Sequence, residues 1–286
     1  MRFRRGLFWY SLGLTLLLLV PMMGLILFFT QQRVEQGILR QAATGQDGVA
    51  IQPGSQQTHT VLLAVQREPA SFLLLRLDGP AQSMLFCGLP SDFSVQAPSG
   101  TTTLAACYET AGPARVAQLL TDTLGSAPDA YFAATDSAYG GIMGSEAAVR
   151  FDTAAVLETK ERAKLALQQD SVLEINAVQA VEWMRGALDV VSEPVRYATL
   201  QAALWAAFAR QNPDQTAQWA AAARERSAQT LTDLNAVLLS EVEQTLQWLA
   251  ARPALTVEYW VPTGEKTASG WQPDAESMER LKQLLA

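Results

Sequence analysis

The sequence predicts an α/β domain of three layers, with helices on both faces of a mixed central sheet, preceded by one transmembrane helix. Three observations carry this. Residues 7–29, "LFWYSLGLTLLLLVPMMGLILFF", hold no charge, and as a helix they are long enough to cross about 30 Å of hydrocarbon. Three strand-like apolar runs follow at 60–65, 71–77 and 82–88. Beyond them, strand-like and helix-like segments are mixed to the end of the chain.

Arg2, Arg4 and Arg5 precede the apolar segment. Positive charge on that side places residues 1–6 in the cytoplasm and the rest of the chain outside. Trp9 and Tyr10 suit the cytoplasmic interface, and Pro21 is tolerable inside a membrane helix. The following "FFTQQRVEQ" has no small-x-small cleavage site, which favours an uncleaved anchor over a signal peptide. Residues 30–57 are polar and rich in Gln and Gly, and read as a juxtamembrane stalk and linker. The folded domain is expected at 58–286. His59, the single histidine, falls at the end of the polar stretch and is expected to be exposed and inert. One His and two Cys build neither a His-based triad nor a zinc cluster.

Runs 71–77 and 82–88 flank "LDGPAQ", whose Asp-Gly and Pro predict a hairpin turn. Their unbroken apolar character predicts strands buried on both faces. Residues 112–125 predict a helix, with Pro113 in its first turn and Gly125 as its stop. Residues 129–136, 148–152 and 154–158 are read as strands. "VLEINAVQAVEWMRGAL" is read as a helix with Ile175, Val178, Val181 and Met184 near one face. Further helices are expected over "VRYATLQAALWAAFARQ", over the segment opened by Pro213, and through "LNAVLLSEVEQTLQWLAAR" to Pro253. A strand at 255–262 and a short terminal helix over "PDAESMERLKQLL" complete the chain, which shows no internal repeat.

Net charge is −7, which argues against a nucleic-acid partner, since that would need a basic stripe. The same balance and the apolar segment argue against a transcription factor. Cys87 and Cys107 both fall outside the membrane, where a disulfide would persist, but spacing alone leaves open whether they pair. The sequence carries no signal of oligomeric state.

The order of these pieces resembles the LytR-CpsA-Psr family over roughly residues 58–286, with the anchor as shared architecture. No motif is intact, so the match rests on order and register. The family's first strand ends in Val-Asp, and here it ends in Val65-Gln66. Its Arg-Ser-Asp-Thr becomes Glu68-Pro69-Ala70-Ser71, and its Ile-Pro-Arg-Asp becomes Leu89-Pro90-Ser91-Asp92. "TLAACYETAGP" keeps Tyr108, Gly112 and Pro113 of a helix-starting segment. Leu119-Leu120, Gly125, Asp129, Tyr131 and Asp136 parallel a Leu-Leu-Gly…Asp-Tyr…Asp run, and a later Gly-Gly-Val becomes Ala147-Ala148-Val149. "QAVEWMRGA" keeps Gln179, Ala180 and Arg185 but has Ala187 for a second arginine. "VRYATLQ" keeps Arg196 and Gln201 but has Thr199 for another.

The resemblance implies a three-layer LytR-CpsA-Psr-like domain. It also implies extracytoplasmic work on cell-wall polymers carried by a polyprenyl (pyro)phosphate, with the prenyl tail held in a long apolar pocket. Such transfer relies on a divalent cation and arginines to neutralise phosphate charge. At the family's two metal positions this chain has Gln66 and Ala70, and no hard carboxylate set remains. Glu68, Ser91, Ala187 and Thr199 replace arginines. Arg185 and Arg196 survive, and Arg67 is adjacent, so these three are the candidate phosphate contacts. Asp92 is the candidate acidic residue. Each has a structural alternative: a helix C-terminal cation for Arg185, a surface residue for Arg196, a turn carboxylate for Asp92. Glu109 and Asp136 lack matched carboxylates and are not expected to bind metal. The expected function is a catalytically degenerate, membrane-anchored protein binding a polyprenyl-phosphate-linked glycan or an envelope partner. The alternatives are an active phosphotransferase, for which alone Mg2+ or Mn2+ is assigned, and an extracellular interaction domain without lipid.

Overall fold

The computed structural model describes residues 52–98, 100–165, 167 and 171–285. The predicted membrane segment 7–29 and residues 30–51 of the linker lie outside the described residues. Among the described residues no helix is long and apolar enough to cross a membrane.

Strands β1 (Thr58–Gln66), β2 (Ser71–Asp78) and β3 (Ser83–Leu89) form an antiparallel meander at the centre of the sheet. β2 is paired on both sides, and its side chains are buried on both faces apart from Arg76 and Asp78, which are half-buried. That is why its sequence reads as an unbroken apolar run. Asp78 makes the predicted hairpin turn, its Oδ1 accepting from the Ala81 N–H at 2.8 Å. β4 (Ser94–Ala97) and β5 (Gly100–Thr103) pair with each other and lead into helix α1 (Leu104–Leu124). Helix α1 is interrupted at Gly112, whose φ of 76° is non-helical, and resumes at Pro113. It ends at Gly125, which takes the left-handed φ of 77° that glycine accepts without strain. The predicted start at Pro113 is therefore a restart, and the helix begins eight residues earlier than expected.

β6 (Ala130–Thr135) then pairs parallel to β1 and runs into helix α2 (Asp136–Gly144). β7 (Ala148–Asp152) pairs antiparallel with β8 (Val172–Asn176), with the short helix α3 (Thr159–Lys164) between them. Two readings are corrected here. Residues 154–158 are not a strand but one 3-10 turn and the approach to α3. "VLEIN" is strand β8, and the helix α4 (Ala177–Leu188) begins only after Asn176, which closes a capping box with Gln179. The apparent helical stripe from Ile175 through Val178 was misleading, since Val178 is 39% exposed.

Helix α5 (Pro194–Gln211) follows, nearly all buried. The segment opened by Pro213 is two short helices, α6 (Pro213–Thr216) and α7 (Trp219–Glu225), rather than one. β9 (Thr230–Thr232) forms one edge of the sheet. Helix α8 (Ala236–Ala250) leads to β10 (Thr256–Trp260) at the other edge, parallel to β3. β11 (Gly264–Thr267) and β12 (Gly270–Pro273) form a hairpin before helix α9 (Ala275–Leu285). The six-stranded order is β10-β3-β2-β1-β6-β9, mixed as predicted.

The two sheet faces have separate cores. One is closed by α1 and α9 over Phe72, Leu74 and Leu119. The other is closed by α2, α4, α5, α7 and α8, with Trp205 packed edge-on against Tyr139 at 5.1 Å and tilted against Phe208 at 5.2 Å. Cys87 and Cys107 are free thiols buried in the first core, and burial pushes both thiols up, away from the reactive thiolate.

The start of the described chain is clamped. Gly54 sits so close to helix α8 that a Cβ there would meet the Gln244 carbonyl at 2.4 Å. The Thr245 hydroxyl donates to Gln57 Oε1 at 3.1 Å, and the Trp248 indole donates to the Gly79 carbonyl in the β2–β3 turn at 3.2 Å. Arg252 donates to Gln52 and lies over the Trp248 ring.

His59 departs from expectation. It pairs with Leu77 inside the sheet and is 5% exposed, with Nε2 unpartnered. β1 is buried on both faces from His59 through Leu62, which encloses the ring although its sequence neighbours are polar. Burial lowers its pKa against the weaker pull of Asp129. The unfolded chain thus binds the proton more readily, so stability falls as pH drops below about 6.5. His59→Leu should flatten the dependence of urea midpoint on pH between 7 and 5.

Candidate functional site

β1 and β6 run parallel with Gln66 opposite Thr135, so the next residue of each strand, Arg67 and Asp136, emerge side by side at the same sheet end. The Thr135 hydroxyl caps α2 by accepting from the Ala138 N–H, which fixes Asp136 in the first turn, where a carboxylate is favoured. Arg67 donates one guanidinium nitrogen to Asp136 Oδ1 and another to the Tyr197 hydroxyl. From α4, Arg185 donates to Asp136 Oδ2 through Nε at 3.1 Å and Nη2 at 2.7 Å. Tyr197, one turn into α5, donates its own hydroxyl to the Met184 carbonyl at 3.0 Å. A single carboxylate therefore sits between two guanidinium groups, leaving a local charge of about plus one.

Exposure separates the members. Arg67 and Asp136 side chains are 5% and 7% exposed, whereas Arg185 is 65% exposed. The pair beneath is a fixed platform, and Arg185 is the group that meets incoming solute. The Asp136 contact raises the Arg185 pKa further, so its charge is permanent. Burial pushes the Tyr197 phenol up to about 12, keeping it a neutral donor. Arg67 Nε remains buried without a partner.

One turn further along α2, Tyr139 lines an apolar pocket. Its hydroxyl is buried and unpartnered, burial raises its pKa, and the nearby Arg67 charge opposes that rise. The pocket lies between the sheet and α2, α7 and α8, with Phe132, Ile142, Trp219, Leu239 and Leu246 among its walls. It is a narrow slot, with about 610 Å³ of empty space including its open mouth and about 70 Å³ wide enough for a water-sized sphere.

The other candidates go elsewhere. Arg196, in the first turn of α5, donates to Glu158 and to Glu161 Oε2 at 2.6 Å, tying α5 to the capping box of α3. Hydrogen bonds from Lys160 and then Arg196 hold the Glu158 pKa low. Asp92 lies in the turn after β3, where the Phe93 N–H donates to Pro90 and the Ala105 N–H to Ser91. Its backbone carbonyl accepts from Trp271, and its Oδ1 is buried without a partner. Burial raises its pKa, and among the described residues no cation lies within salt-bridge distance. Arg67 and Arg185 are thus brought together, and Arg196 and Asp92 are not.

A divalent cation does not fit the donor set. Of the family's metal positions, Gln66 is exposed and Ala70 presents a buried methyl. Among the described residues no three His, Cys, Asp or Glu side chains cluster. Near Ala70 there is instead a small cavity of about 10 Å³ bounded by Ser71, Ser91 and Gln201. There Gln201 donates to Ser71 at 3.2 Å, and its Oε1 is unpartnered.

Sequence reasoning missed Asp136, Tyr139 and Tyr197 as members of the site. The available signal was positional: an Asp directly after one parallel strand, opposite an Arg directly after its neighbour.

No protein-family model matches the chain, and no curated protein matches it by sequence. Solved structures do match. A transcription-regulator candidate from Eubacterium siraeum superposes with a TM-score of 0.64 at 16% identity, over 85% of this chain and 96% of that one. TagT bound to LI-WTA gives 0.60 at 13% identity, over 85% and 96%. TagT of Bacillus subtilis gives 0.59 at 13%, over 83% and 93%. TagT is a LytR-CpsA-Psr protein. The likeness spans nearly the whole of those chains and establishes the fold: a mixed six-stranded sheet flanked by helices, of the LytR-CpsA-Psr type.

Proposed function

We propose that this protein is a membrane-anchored, extracytoplasmic binder of a phosphate-bearing polyprenyl lipid, acting in cell-wall polymer assembly without metal-dependent transfer chemistry. The observation that carries this reading is that one helix, α2, supplies both Asp136, which holds the two arginines, and Tyr139, Ile142 and Met143, which line the apolar slot. An apolar chain beside a permanent cation matches a lipid phosphate: the slot takes the chain by burial, and Arg185 takes the headgroup by charge-assisted hydrogen bonding. The fold likeness to TagT, found bound to LI-WTA, supports a ligand of this kind. Anchorage rests on the uncharged segment 7–29 with its preceding arginines.

In this reading Arg185 meets the headgroup and Arg67, buried beneath, adds its charge from a fixed position. Arg67 is held by Asp136 and Tyr197, so its charge is oriented before the ligand arrives. Arg185 closes over the headgroup from solvent. With Gln66 and Ala70 in place of carboxylates, affinity is carried by guanidinium groups alone. Titration with a fluorescent short-chain polyprenyl phosphate should therefore give the same Kd in magnesium and in excess chelator. A chelator-sensitive Kd, or turnover of a polyprenyl diphosphate with Mg2+ or Mn2+, would instead support an active phosphotransferase built on Arg67 and Arg185.

A further inference from the structure

The apolar slot stops at a polar group. On β1 its wall is Val61 and Leu63, and on β2 it is Leu75 and Leu77. Side chains two apart on a strand share a face, and so do residues directly opposed on antiparallel strands. His59 is the next residue on that face of β1, and it lies directly opposite Leu77. Thr60 between them turns the other way, its hydroxyl donating to the Leu284 carbonyl of α9 at 2.9 Å. The imidazole therefore stands where the apolar wall ends. Arg67 follows the opposite end of the same strand.

Polar groups continue beyond the ring. α8 lays Val242 and Leu246 along the slot, and between them Thr245 is wholly buried. Its hydroxyl lies 3.1 Å from Gln57 Oε1 and 2.9 Å from the Glu241 carbonyl. Asp129 and Glu241 are the carboxylates whose charge bears on His59. The ring itself is 5% exposed, and its Nε2 has no partner. A buried polar atom without a hydrogen bond costs stability, and an aliphatic side chain in its place would not. The fold gains nothing from this nitrogen, so packing alone does not account for an imidazole here.

We infer that His59 is the floor of the slot and sets the length of prenyl chain that the slot seats. The charged head lies toward the arginine end of β1, and the last methyl groups of the tail meet the imidazole. The ring stops the chain by its bulk, on the face where Val61 and Leu77 would otherwise extend the wall. Hydrocarbon beyond that length stays outside the slot and adds little to affinity. This rests on the reading of the slot as the seat of a prenyl chain.

The full-length protein is titrated with geranyl, farnesyl, geranylgeranyl and longer prenyl monophosphates. Affinity should rise several-fold with each added unit and then level off. The quantity read is the chain length at which each variant levels off, whatever its absolute affinity. His59→Ala should move that point to a longer chain. His59→Leu, which keeps the bulk and removes the nitrogens, should leave it in place. A point that stays put in His59→Ala, or moves in His59→Leu, overturns the inference while the slot reading stands. If wild-type affinity does not depend on chain length at all, the chain is seated outside the slot and both readings fall. The wild-type protein gives a second test that needs no variant to fold. A prenyl phosphate with a diazirine at its tail end should label His59, Leu77 or Leu246 on illumination, and a label anywhere else overturns the inference.

Discussion

Asp136→Ala should lower stability by about 3–5 kcal/mol, measured as a fall in urea midpoint, because it strands the Arg67 charge in a site where its side chain is 5% exposed. The carboxylate is held in place by the α2 cap, and neither Tyr197 nor a backbone carbonyl carries an opposite charge. The double variant Arg67→Met, Asp136→Leu should recover most of the loss, since replacing a whole buried pair by apolar groups of similar volume is often neutral. Arg185→Ala removes the other contact to the same carboxylate yet should barely move the midpoint, because that side chain is mostly solvated. A large loss for Arg185→Ala, or failure of the double variant to recover, would show the cluster is held together differently.

Binding should show the reverse ranking. Arg185→Ala should weaken the short-chain polyprenyl phosphate by about 10- to 100-fold, the effect of losing one charge-assisted hydrogen-bonding group. Ala223→Trp, in the wall of the slot, should abolish binding by filling it. The two losses differ in kind. The arginine variant should retain affinity for the uncharged prenyl alcohol, and the tryptophan variant should lose it. If Ala223→Trp binds normally, the chain is seated outside the slot. If Arg185→Ala binds normally, the headgroup lies away from the cluster.

Much of the architecture was legible because it is written locally. The apolar runs of β1 to β3, the Asp-Gly-Pro turn and the Gly125 stop each follow from residues adjacent in sequence. Errors arose where local periodicity was ambiguous. Ile175, Val178, Val181 and Met184 satisfy a helical spacing, but pairing with β7 claims the first of them for a strand. The site was harder because it is non-local. Arg67 and Asp136 are 69 residues apart and meet only through parallel register, which no short window reveals. Arg196 looked free in sequence, and its two carboxylates are supplied from 35 and 38 residues away. The resemblance pointed to Gln66 and Ala70, whereas the carboxylate at the centre of the cluster is Asp136.

The clamp on the first described residues has a mechanical meaning. β1 is a central strand, bonded to β2 on one side and β6 on the other. Pulling its N-terminal end directly would load the sheet bond by bond, from Thr58 inward. The grip of Gly54 and Gln57 on α8 and of Gln52 on Arg252 just beyond it, with Trp248 bracing the β2–β3 turn, puts a shear joint ahead of that strand. Tension arriving along the preceding chain is shared across several contacts at once before it reaches the first hydrogen bond of the sheet. A domain tethered from this end can be tugged without beginning to unravel at its centre.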